Sequence, residues 1–591
     1  MAVSPMAGND GPVTVSIKSA GKALPDTAQV ISVAVRAEIN RIPEAIVVLQ
    51  DGDLAEQDYP LTDAATFKPG TEVSIGAGYG EDEPTVLFTG LVTGLRLKIG
   101  GTGAPQLIVT CRDKGFRMTL GRNSQMFESV TDSDAISTIA SAAGLSAEVT
   151  ATQITHAQLV QHRCTDWDFV LSRAEANGLI VSCDAGKLTV AKPDTSAAAA
   201  LVVTAGVDLI RFDCEMDVRN QFSSAAASGW SIADQAAVSG SAATATGPSW
   251  GDLDGKALAT VGALASFDVG SAAPYSESEL TAIAGAIQTR SALARIRGQV
   301  RFQGSGLAKP GGTLELKGVG ARFGGTAIVG SVVHRIEGGD WVTDAGLGID
   351  PETLSSRESE GFGAPGAGGF TAPVRGLQIG KVTKLAEDPD AQARVQVQLP
   401  LFGADGGPKL WARLGCLQAT GSAGTFFLPE VGDEVVVGFF AEDPGYPVVL
   451  GSLYSSVNAA PFTATDDNYT KAIVTRAQLK ATFDDEKKVI TLETPGGNSA
   501  VLDDDGKSVK LKDAKGNSVL LDQSGITLDS PGDIAIKATG GIKIAATGDV
   551  AISGANVSAE AEMGLTAKGN ASAELSASGQ VTVKGAMVMI N

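Results

Sequence analysis

The C-terminal part of the sequence contains a short repeat that limits the folds open to this chain. Residues 532–555 read GDIAIKAT GGIKIAAT GDVAISGA, three blocks of eight residues that each begin with glycine. Because the two apolar residues of a block are separated by one residue, each block is expected to be a β-strand with one face turned inward. Those residues are Ile534 and Ile536, Ile542 and Ile544, and Val550 and Ile552.

The same pattern continues toward the end of the chain. Beyond Asn556 the register slips by one residue and then holds, with apolar or small residues at Val557 and Ala559, Leu565 and Ala567, Ala573 and Leu575, and Val581 and Val583. A strand of five or six residues spans about 17–20 Å, and glycine turns the corner to the next. One block therefore supplies one wall of a core that it cannot enclose alone.

Two arrangements satisfy this repeat. One chain could form coils of three blocks each, which gives only about two or three coils. Alternatively, three chains wind together and each supplies one wall, which gives about seven rungs and leaves no free strand edge. We favour an intertwined, trimeric, triple-stranded β-helix, a stiff and narrow rod. A disordered tail is the alternative, but a strict period is hard to obtain from composition alone.

The rest of the chain reads as mainly β. Short alternating strands separated by turn residues predict β-barrels, and a Gly-, Ser- and Pro-rich stretch predicts a linker. The predicted domains are a first β-barrel (1–120), a helical and β insert (121–199), a second β-barrel with a helix (200–350), a linker (351–373), an OB-fold barrel (374–456), a connector (457–484) and the β-helix (485–591).

Three helices are marked by their capping residues. Thr131 or Asp132 is expected to cap the first, which Gly144 ends, and Thr165 or Asp166 the second, which Gly178 ends. The second should bury Trp167, Val170, Leu171 and Ala174. In the third, Ser276 and Glu279 form a capping box, and Arg290, Arg295 and Arg297 fall toward the C-terminal end.

The two predicted barrels share a sequence pattern. FKPGTEVSI at 67–75 is followed by TVLFTGLVTG, and AKPGGTLEL at 308–316 is followed by RFGGTAIVGSV. Each copy has a Pro-Gly turn, an alternating strand and a glycine-containing apolar strand. Lys-Pro-Gly turns are common, so chance is the alternative, but the pattern is typical of two related barrels in one chain.

Charge and rare residues exclude several functions. The formal net charge of −21 disfavours binding to nucleic acid or anionic membranes. The five scattered cysteines suggest neither a zinc site nor a disulfide framework. His156, His162 and His334 occur in no catalytic or metal-binding motif, so we predict no catalytic residue, no metal ligand and no cofactor. Neither a signal peptide nor a membrane span is expected, so synthesis in the cytoplasm is predicted.

The complete set of motifs resembles the VgrG-type spike proteins of contractile injection systems and the hub and spike of contractile phage tails. FKPGTEVSIGAGY, CRDKGFRM and WDFVLSRAEANGLIV resemble the N-terminal hub of that family. GKVTKLAEDPDAQARVQVQLP, LWARLG and FFLPEVGDEVVVGFFAEDPGYPVVLGSLYSS resemble its OB-fold. The ending VKGAMVMIN resembles its spike tip.

The resemblance implies a structural protein rather than an enzyme. It implies a homotrimer whose two hub barrels per chain give six pseudo-equivalent units facing a hexameric inner tube. Its partners would be inner-tube and baseplate proteins, a PAAR-type tip protein and effectors, and no nucleic acid. The tip partner would bind Met587, Val588, Met589, Ile590 and Asn591. The protein would join a contractile particle and be ejected into the target envelope.

Several alternatives remain within and beyond this family. The OB-fold segment is more similar to free phage-tail-like particles than to type VI secretion spikes, which often carry a DEYGRVKVQFHWDR-like stretch. An envelope-degrading spike is a second alternative, although residues 456–485 are too few for an inserted lysozyme and no toxin domain is expected after the β-helix. A surface adhesin with a trimeric stalk is a third, disfavoured by the absent signal peptide and by the hub barrels.

Overall fold

The computed structural model describes residues 2–7, 11–25, 27–81, 83–100, 103–231, 236–245, 247–271, 273–354, 366–400 and 407–590. It divides into two compact units, Met1–Ala459 and Ala460–Asn591. Part of the predicted linker, 355–365, lies outside the described residues, as does Asn591 of the predicted tip.

The first unit begins with strands whose residues alternate between a buried and a more open face. This follows from the period of two in the sequence, as in EAIVVLQ, where Ala45, Val47 and Leu49 are fully buried. The elements are β1 (Val13–Ser19), β2 (Lys22–Ala23), β3 (Gln29–Glu38), β4 (Glu44–Gln50), α1 (Pro60–Asp63), β5 (Glu72–Tyr79), β6 (Thr85–Lys98) and β7 (Gln106–Arg112).

The insert pairs two capped helices with short strands. Thr131 caps the first helix and Thr165 the second, and each hydroxyl accepts from the amide three residues on, as the sequence predicts. Gly144 and Gly178 follow the helices with positive φ of 76° and 67°, which glycine adopts without strain. The elements are β8 (Asn123–Thr131), α2 (Asp132–Ala142), β9 (Ser146–Val149), β10 (Thr155–Cys164), α3 (Asp166–Ala176), β11 (Ile180–Asp184) and β12 (Lys187–Ala191).

The second β-rich part contains the longest helix. Ser276 and Glu279 form the predicted capping box, but the helix ends at Leu293, so Arg295 and Arg297 lie beyond it and only Arg290 is in its last turn. The elements are β13 (Leu201–Thr204), β14 (Leu209–Met216), β15 (Ser224–Ser231), β16 (Ala236–Ala243), α4 (Gly255–Gly262), β17 (Ser266–Gly270), α5 (Glu277–Leu293), β18 (Ile296–Gln303), β19 (Thr313–Lys317), β20 (Gly325–Glu337) and β21 (Asp340–Leu347).

The strands of the two predicted barrels belong to one thirteen-stranded sheet. Its order is β14-β18-β21-β20-β3-β4-β7-β6-β5-β1-β2, with β19 beside β20 and β13 beside β19. The two parts merge because β20 extends past β19, and its residues Ser331–Glu337 pair antiparallel with β3. Two cores lie against this sheet, one around Val47, Ile75 and Val109 and the other around Val300, Phe302 and Leu314.

The OB-fold prediction is confirmed by a closed five-stranded barrel in the order β22-β23-β24-β28-β27. Val382, Val397, Leu410, Val435 and Val449 fill its interior. The strands are β22 (Gln378–Lys384), β23 (Val395–Gln398), β24 (Lys409–Leu414), β25 (Ala419–Thr420), β26 (Ala423–Gly424), β27 (Glu434–Phe439) and β28 (Pro447–Ser452).

The second unit contains a seven-stranded antiparallel meander in sequence order. The meander begins at Thr470, inside the segment predicted as a connector. Its strands are β29 (Thr470–Val474), β30 (Lys480–Asp484), β31 (Val489–Glu493), β32 (Ser499–Asp503), β33 (Ser508–Lys512), β34 (Ser518–Asp522) and β35 (Gly525–Asp529). From 530 to 590 the single chain forms no strand. In the described part of the chain, no helix is long and apolar enough to cross a membrane.

Candidate functional site

The repeat segment bends at the period that the sequence predicts. The backbone bends at 531–532, 539–540 and 547–548, and again at 562–563, 570–571 and 578–579. Each series has a spacing of eight residues, and the shift between the two series matches the slip noted after Asn556. An added Cβ at Gly540, Gly548 or Gly579 would meet no atom within 4 Å, so these corners are open in one chain.

The residues predicted to form the β-helix core are exposed in the single chain. Their exposed fractions run from 47% at Val581 to 77% at Leu575. Within each of the first three blocks the second apolar residue is the more exposed one, for example 53% at Ile542 and 73% at Ile544. One chain thus presents a periodic apolar row and offers its peptide groups no sheet partner, so the predicted core remains a prediction about an assembly.

The predicted tip residues are also exposed. Met587, Val588, Met589 and Ile590 have exposed fractions of 79%, 50%, 78% and 92%. Large apolar side chains in succession mark an interaction surface more often than a free protein surface. Asn591 lies outside the described residues.

The meander carries a second apolar surface, which sequence reasoning missed. The strand registers place one residue set on a single face, because directly opposed residues share a side of the sheet. We call this set the meander face; it consists of Ile473, Ala481, Phe483, Ile490, Leu492, Ala500, Leu502, Val509, Leu511, Val519, Leu521, Ile526 and Leu528.

Apolar residues of the meander face are open to solvent in one chain. Phe483 is 42% exposed, Leu492 is 49% exposed and Leu511 is 49% exposed. The signal in the sequence was an apolar residue at the second and fourth positions of successive strands, as in KATFD, SAVLD and SVLLD. An uncovered apolar sheet face of this extent indicates that another surface packs on it.

In the first unit, a buried polar cluster joins the insert, the second β-rich part and the OB-fold. We call it the junction cluster; it consists of Asp132, His156, Arg173, Tyr275, Glu279 and Asp443. Arg173 donates from Nε to Asp132 Oδ1 at 2.6 Å and from Nη2 to Oδ2 at 3.0 Å. Arg173 lies on α3, whereas Asp132 opens α2.

His156 lies between two carboxylates of the junction cluster. Its Nε2 is 3.2 Å from Asp132 Oδ2 and its Nδ1 is 3.3 Å from Glu279 Oε1. Burial lowers the pKa of His156, but the hydrogen bonds to the two carboxylates outweigh burial and Arg173, and raise the pKa above its ordinary value. Burial raises the pKa of Asp132, but Arg173 and His156 outweigh it and lower that pKa.

Tyr275 and Asp443 connect the cluster to the OB-fold. The Tyr275 hydroxyl donates to Asp443 Oδ2, and the Gly445 amide donates to Oδ1 at 2.8 Å. Burial is the main cause that raises the pKa of Asp443. Gln158 of β10 adds a second connection, since its amide donates to the Gly445 carbonyl at 3.2 Å and accepts from the Trp411 amide at 2.9 Å. These contacts connect the second β-rich part and the insert to the OB-fold.

Of the other two histidines, His334 is buried and His162 is half-buried. Burial lowers the pKa of His162 and of His334 to about 4 each. His334 Nδ1 lies 3.0 Å from the Thr343 hydroxyl and its ring lies against Trp341. Among the described residues no group of three His, Cys, Asp or Glu side chains is arranged to hold a metal ion.

Two family models match the chain. Residues 9–338 match the model described as Alg8 N-terminal domain, and residues 378–454 match the model described as type VI secretion system/phage-baseplate injector OB domain. The second match covers the closed barrel. The first covers the insert and every strand of the thirteen-stranded sheet except β21.

Curated relatives match over short stretches. The type VI secretion system spike protein VgrG3 of Vibrio cholerae is 36% identical over 64 residues, which is 11% of this chain and 6% of that protein. VgrG5 of Pseudomonas aeruginosa is 37% identical over 95 residues, which is 15% of this chain and 12% of that protein. With the OB-domain match, these relatives confirm the predicted resemblance to VgrG-type spike proteins.

Solved structures align over more of the chain. An Escherichia coli protein described as a component of the type VI secretion system is 15% identical, with a TM-score of 0.44 over 74% of this chain and 99% of that one.

Proposed function

Since the chain belongs to the Alg8 N-terminal domain family and carries an injector OB domain, we propose that it is the central spike and hub of a contractile injection machine. In this proposal the thirteen-stranded sheet docks on the inner tube and on baseplate proteins. The OB-fold forms a collar, and the residues from 470 onward form the piercing rod.

One observation carries the proposal most directly: the second unit buries almost none of its apolar residues in a single chain. The meander face and the row from Ile534 to Val583 are both uncovered. Burying apolar surface contributes about 25 cal/mol per Å² removed from water, so a chain with these two surfaces gains stability by packing against copies of itself. Three copies supply three walls for each block of eight residues.

The rod suits mechanical work. In the wound trimer the peptide groups of 532–590 would pair between chains, so bending would break many interchain hydrogen bonds at once. Sheath contraction would push the trimer forward, and the rod would concentrate the force on Met587–Ile590 and on the PAAR-type tip protein bound there. The role needs no catalytic residue, and effectors would travel as cargo.

Among contractile injection machines, we infer that the chain belongs to a free, phage-tail-like particle, because of the sequence of its OB-fold. The stretches LQIGKV and DPDAQARVQVQLP, and the ending LGSLYSS, support it. The alternative is a type VI secretion spike, which the similarity to VgrG3 and VgrG5 favours. Expression of the surrounding genes and electron microscopy of the culture medium separate the two: free sheathed particles that contain the chain support the first, and cell-bound assemblies alone support the second.

A deletion tests the function of the rod. Removal of 532–591 should leave the first unit folded and able to enter particles, whereas the particles should lose the ability to permeabilise target cells. The matched control is Lys543→Glu in the full chain, which changes a polar position of the same segment. Particles that pierce equally well without 532–591 would contradict the proposal.

An enzymatic spike is the second candidate, and it makes a different prediction. If the hub or the OB-fold degraded the envelope, the purified chain would release soluble fragments from isolated cell wall. We expect no release above that of a heat-denatured sample.

A further inference from the structure

The two β-rich parts of the thirteen-stranded sheet repeat each other strand by strand. The neighbours β5-β6-β7-β4-β3 in the first correspond to β19-β20-β21-β18-β14 in the second, and all adjacent pairs in both series are antiparallel. The turn amides repeat as well: Gly70 donates to the Val92 carbonyl at 2.8 Å, and Gly311 donates to the Val329 carbonyl at 2.8 Å.

The repeat extends to the β-bulges, which fixes the correspondence residue by residue. The register of β6 on β7 shifts between Val92 and Gly94, and that of β20 on β21 shifts between Val329 and Ser331. The register of β3 on β4 shifts between Val30 and Ser32, and that of β14 on β18 shifts between Leu209 and Arg211. Bulges mark positions within a strand, so Gly94 corresponds to Ser331 and Ser32 corresponds to Arg211.

One pairing of the first copy has no counterpart within the chain. β3 pairs with Ser331–Glu337 of β20, on the edge of β20 that also carries β19. The corresponding strand β14 ends the sheet, and its outer edge has no strand beside it among the described residues. The corresponding half of β6, Gly94–Lys98, likewise extends past β5 with that edge open.

We propose that β14 of one copy pairs antiparallel with the Gly94–Lys98 half of β6 in a neighbouring copy. The register follows from the pairing of Val35 with His334, whose counterparts are Cys214 and Leu97. Gly94–Lys98 then lies opposite Asp213–Asp217, in the reverse order. The proposal deepens the proposed function and rests on it for the number of copies, because it specifies how the hub parts of the trimer join.

The side chains that this register brings together are complementary. Arg96 faces Glu215 and Lys98 faces Asp213 on one side of the sheet, and Leu97 faces Cys214 on the other. The pairing of β3 with β20 within one chain has no such charge pairs, because there Arg36 faces Val333 and Arg335 faces Ala34. Opposite charges directly across two strands stabilise the pair, whereas a random register would bring like charges together as often.

The four charged residues are available for this contact. Arg96, Lys98, Asp213 and Glu215 are all exposed. Within one chain the two carboxylates have only loose ion pairs, at 3.5 Å from Asp213 to Arg211 and 3.7 Å from Glu215 to Arg297. Leu97 is 36% exposed and would become buried beside Cys214, which continues the apolar face of the sheet across the interface.

The interface uses two different edges, so each copy offers one edge to the copy before it and the other to the copy after it. Such head-to-tail contacts close into a ring when the rotation between copies allows it. Each chain contributes two similar parts, so three chains would give a continuous sheet with six similar segments, in which the edges of β14 and of Gly94–Lys98 are both paired.

Cysteine cross-linking in the full chain tests the register. Directly opposed residues of antiparallel strands have Cα atoms about 4.5–5.5 Å apart, within the range of about 4.4–6.8 Å that a disulfide spans. The test variant carries Arg96→Cys and Glu215→Cys, with the exposed Cys416 replaced by serine to remove background oxidation. After mild oxidation most of the protein should run as disulfide-linked dimer and trimer on a non-reducing gel.

The single variants Arg96→Cys and Glu215→Cys, each with Cys416→Ser, are the controls and should remain uncrosslinked. In a second arm, Arg96→Glu should lower the midpoint of thermal dissociation of the assembly, and adding Glu215→Arg should restore most of the loss. A trimeric native mass without the double-cysteine cross-link, or with equal cross-linking in a single variant, would overturn this pairing and leave the proposed spike intact. A monomeric chain would overturn both.

Discussion

Arg173 holds Asp132 by two charge-assisted hydrogen bonds, at 2.6 and 3.0 Å, in a place where both residues are buried. Asp132 begins α2 and Arg173 lies on α3, so the pair connects the two helices of the insert. Burial of a carboxylate is unfavourable unless a positive charge and hydrogen bonds compensate it. Removing either residue should therefore destabilise the fold.

Arg173→Met should destabilise the first unit by about 3–5 kcal/mol, because it removes the guanidinium and the two hydrogen bonds that compensate the buried Asp132 carboxylate. The measurement is a urea titration followed by tryptophan fluorescence. Arg219→Met is the matched control, since Arg219 also pairs with an aspartate, Asp217, but its own side chain is exposed. The control should unfold with the wild-type midpoint, and an equal loss in both variants would contradict this role for Arg173.

Local features of this chain could be predicted because they depend on residues close in sequence. Thr131 and Thr165 cap helices where the sequence predicts, and Ser276 with Glu279 forms the capping box. These hydrogen bonds form within one turn of helix, so a short pattern suffices. The positions of the backbone bends between 531 and 579 could also be predicted, because the period of eight residues is a local pattern.

Features set by distant pairing could not be predicted. The sequence indicated two barrels, whereas Ser331 pairs with Glu38 and joins both parts in one sheet. A local sequence pattern does not indicate which distant strand a long strand will pair with. The junction cluster was missed similarly, because His156 and Glu279 are far apart in sequence and only the packing of α5 on the insert brings them together.

The stability contributed by His156 should decrease as the pH rises. Its pKa in the folded chain is raised above the ordinary 6.5, so the stabilisation is fully present below that value and is lost as the pH passes through the folded-state pKa. The groups that face it are Asp132, Glu279 and Arg173. The wild type should therefore exceed His156→Gln in melting temperature at about pH 5.5, and the difference should shrink at about pH 8.5.

The wild type must be compared with His156→Gln, because the other two histidines change the stability with pH in the opposite direction. The pKa values of His162 and His334 are lowered to about 4, so their contribution is present above 6.5 and is lost as the pH falls toward 4. Both residues are unchanged in His156→Gln and cancel in the difference. A difference that grows with pH would contradict the assignment.

Tyr275→Phe should destabilise the contact between the second β-rich part and the OB-fold. The change removes the donor to Asp443 and leaves the buried carboxylate with the Gly445 amide, at a cost of about 1–3 kcal/mol. Limited proteolysis near 374 should accelerate, and the urea midpoint should fall. Tyr469→Phe, at a residue that is 43% exposed, is the control and should match the wild type.

The octad repeat should distinguish apolar from polar positions in assembly. Ile544→Asp places a carboxylate in the predicted core of the wound trimer, where burial without a partner is strongly unfavourable. The neighbouring Lys543→Asp changes a position predicted to face outward. The first variant should destabilise the wound segment 532–590 so that protease cleaves it faster, and the second should keep the wild-type cleavage rate, as limited proteolysis would report; equal behaviour of the two would contradict an inward apolar row.

The native mass of the full chain in solution tests the central claim most directly. Light scattering coupled to size exclusion should give about 180 kDa, which is three times the 60.0 kDa of one chain. In the proposed trimer, copies of the chain cover the meander face and the row from Ile534 to Val583. A stable species of 60.0 kDa across the concentration range would contradict the account.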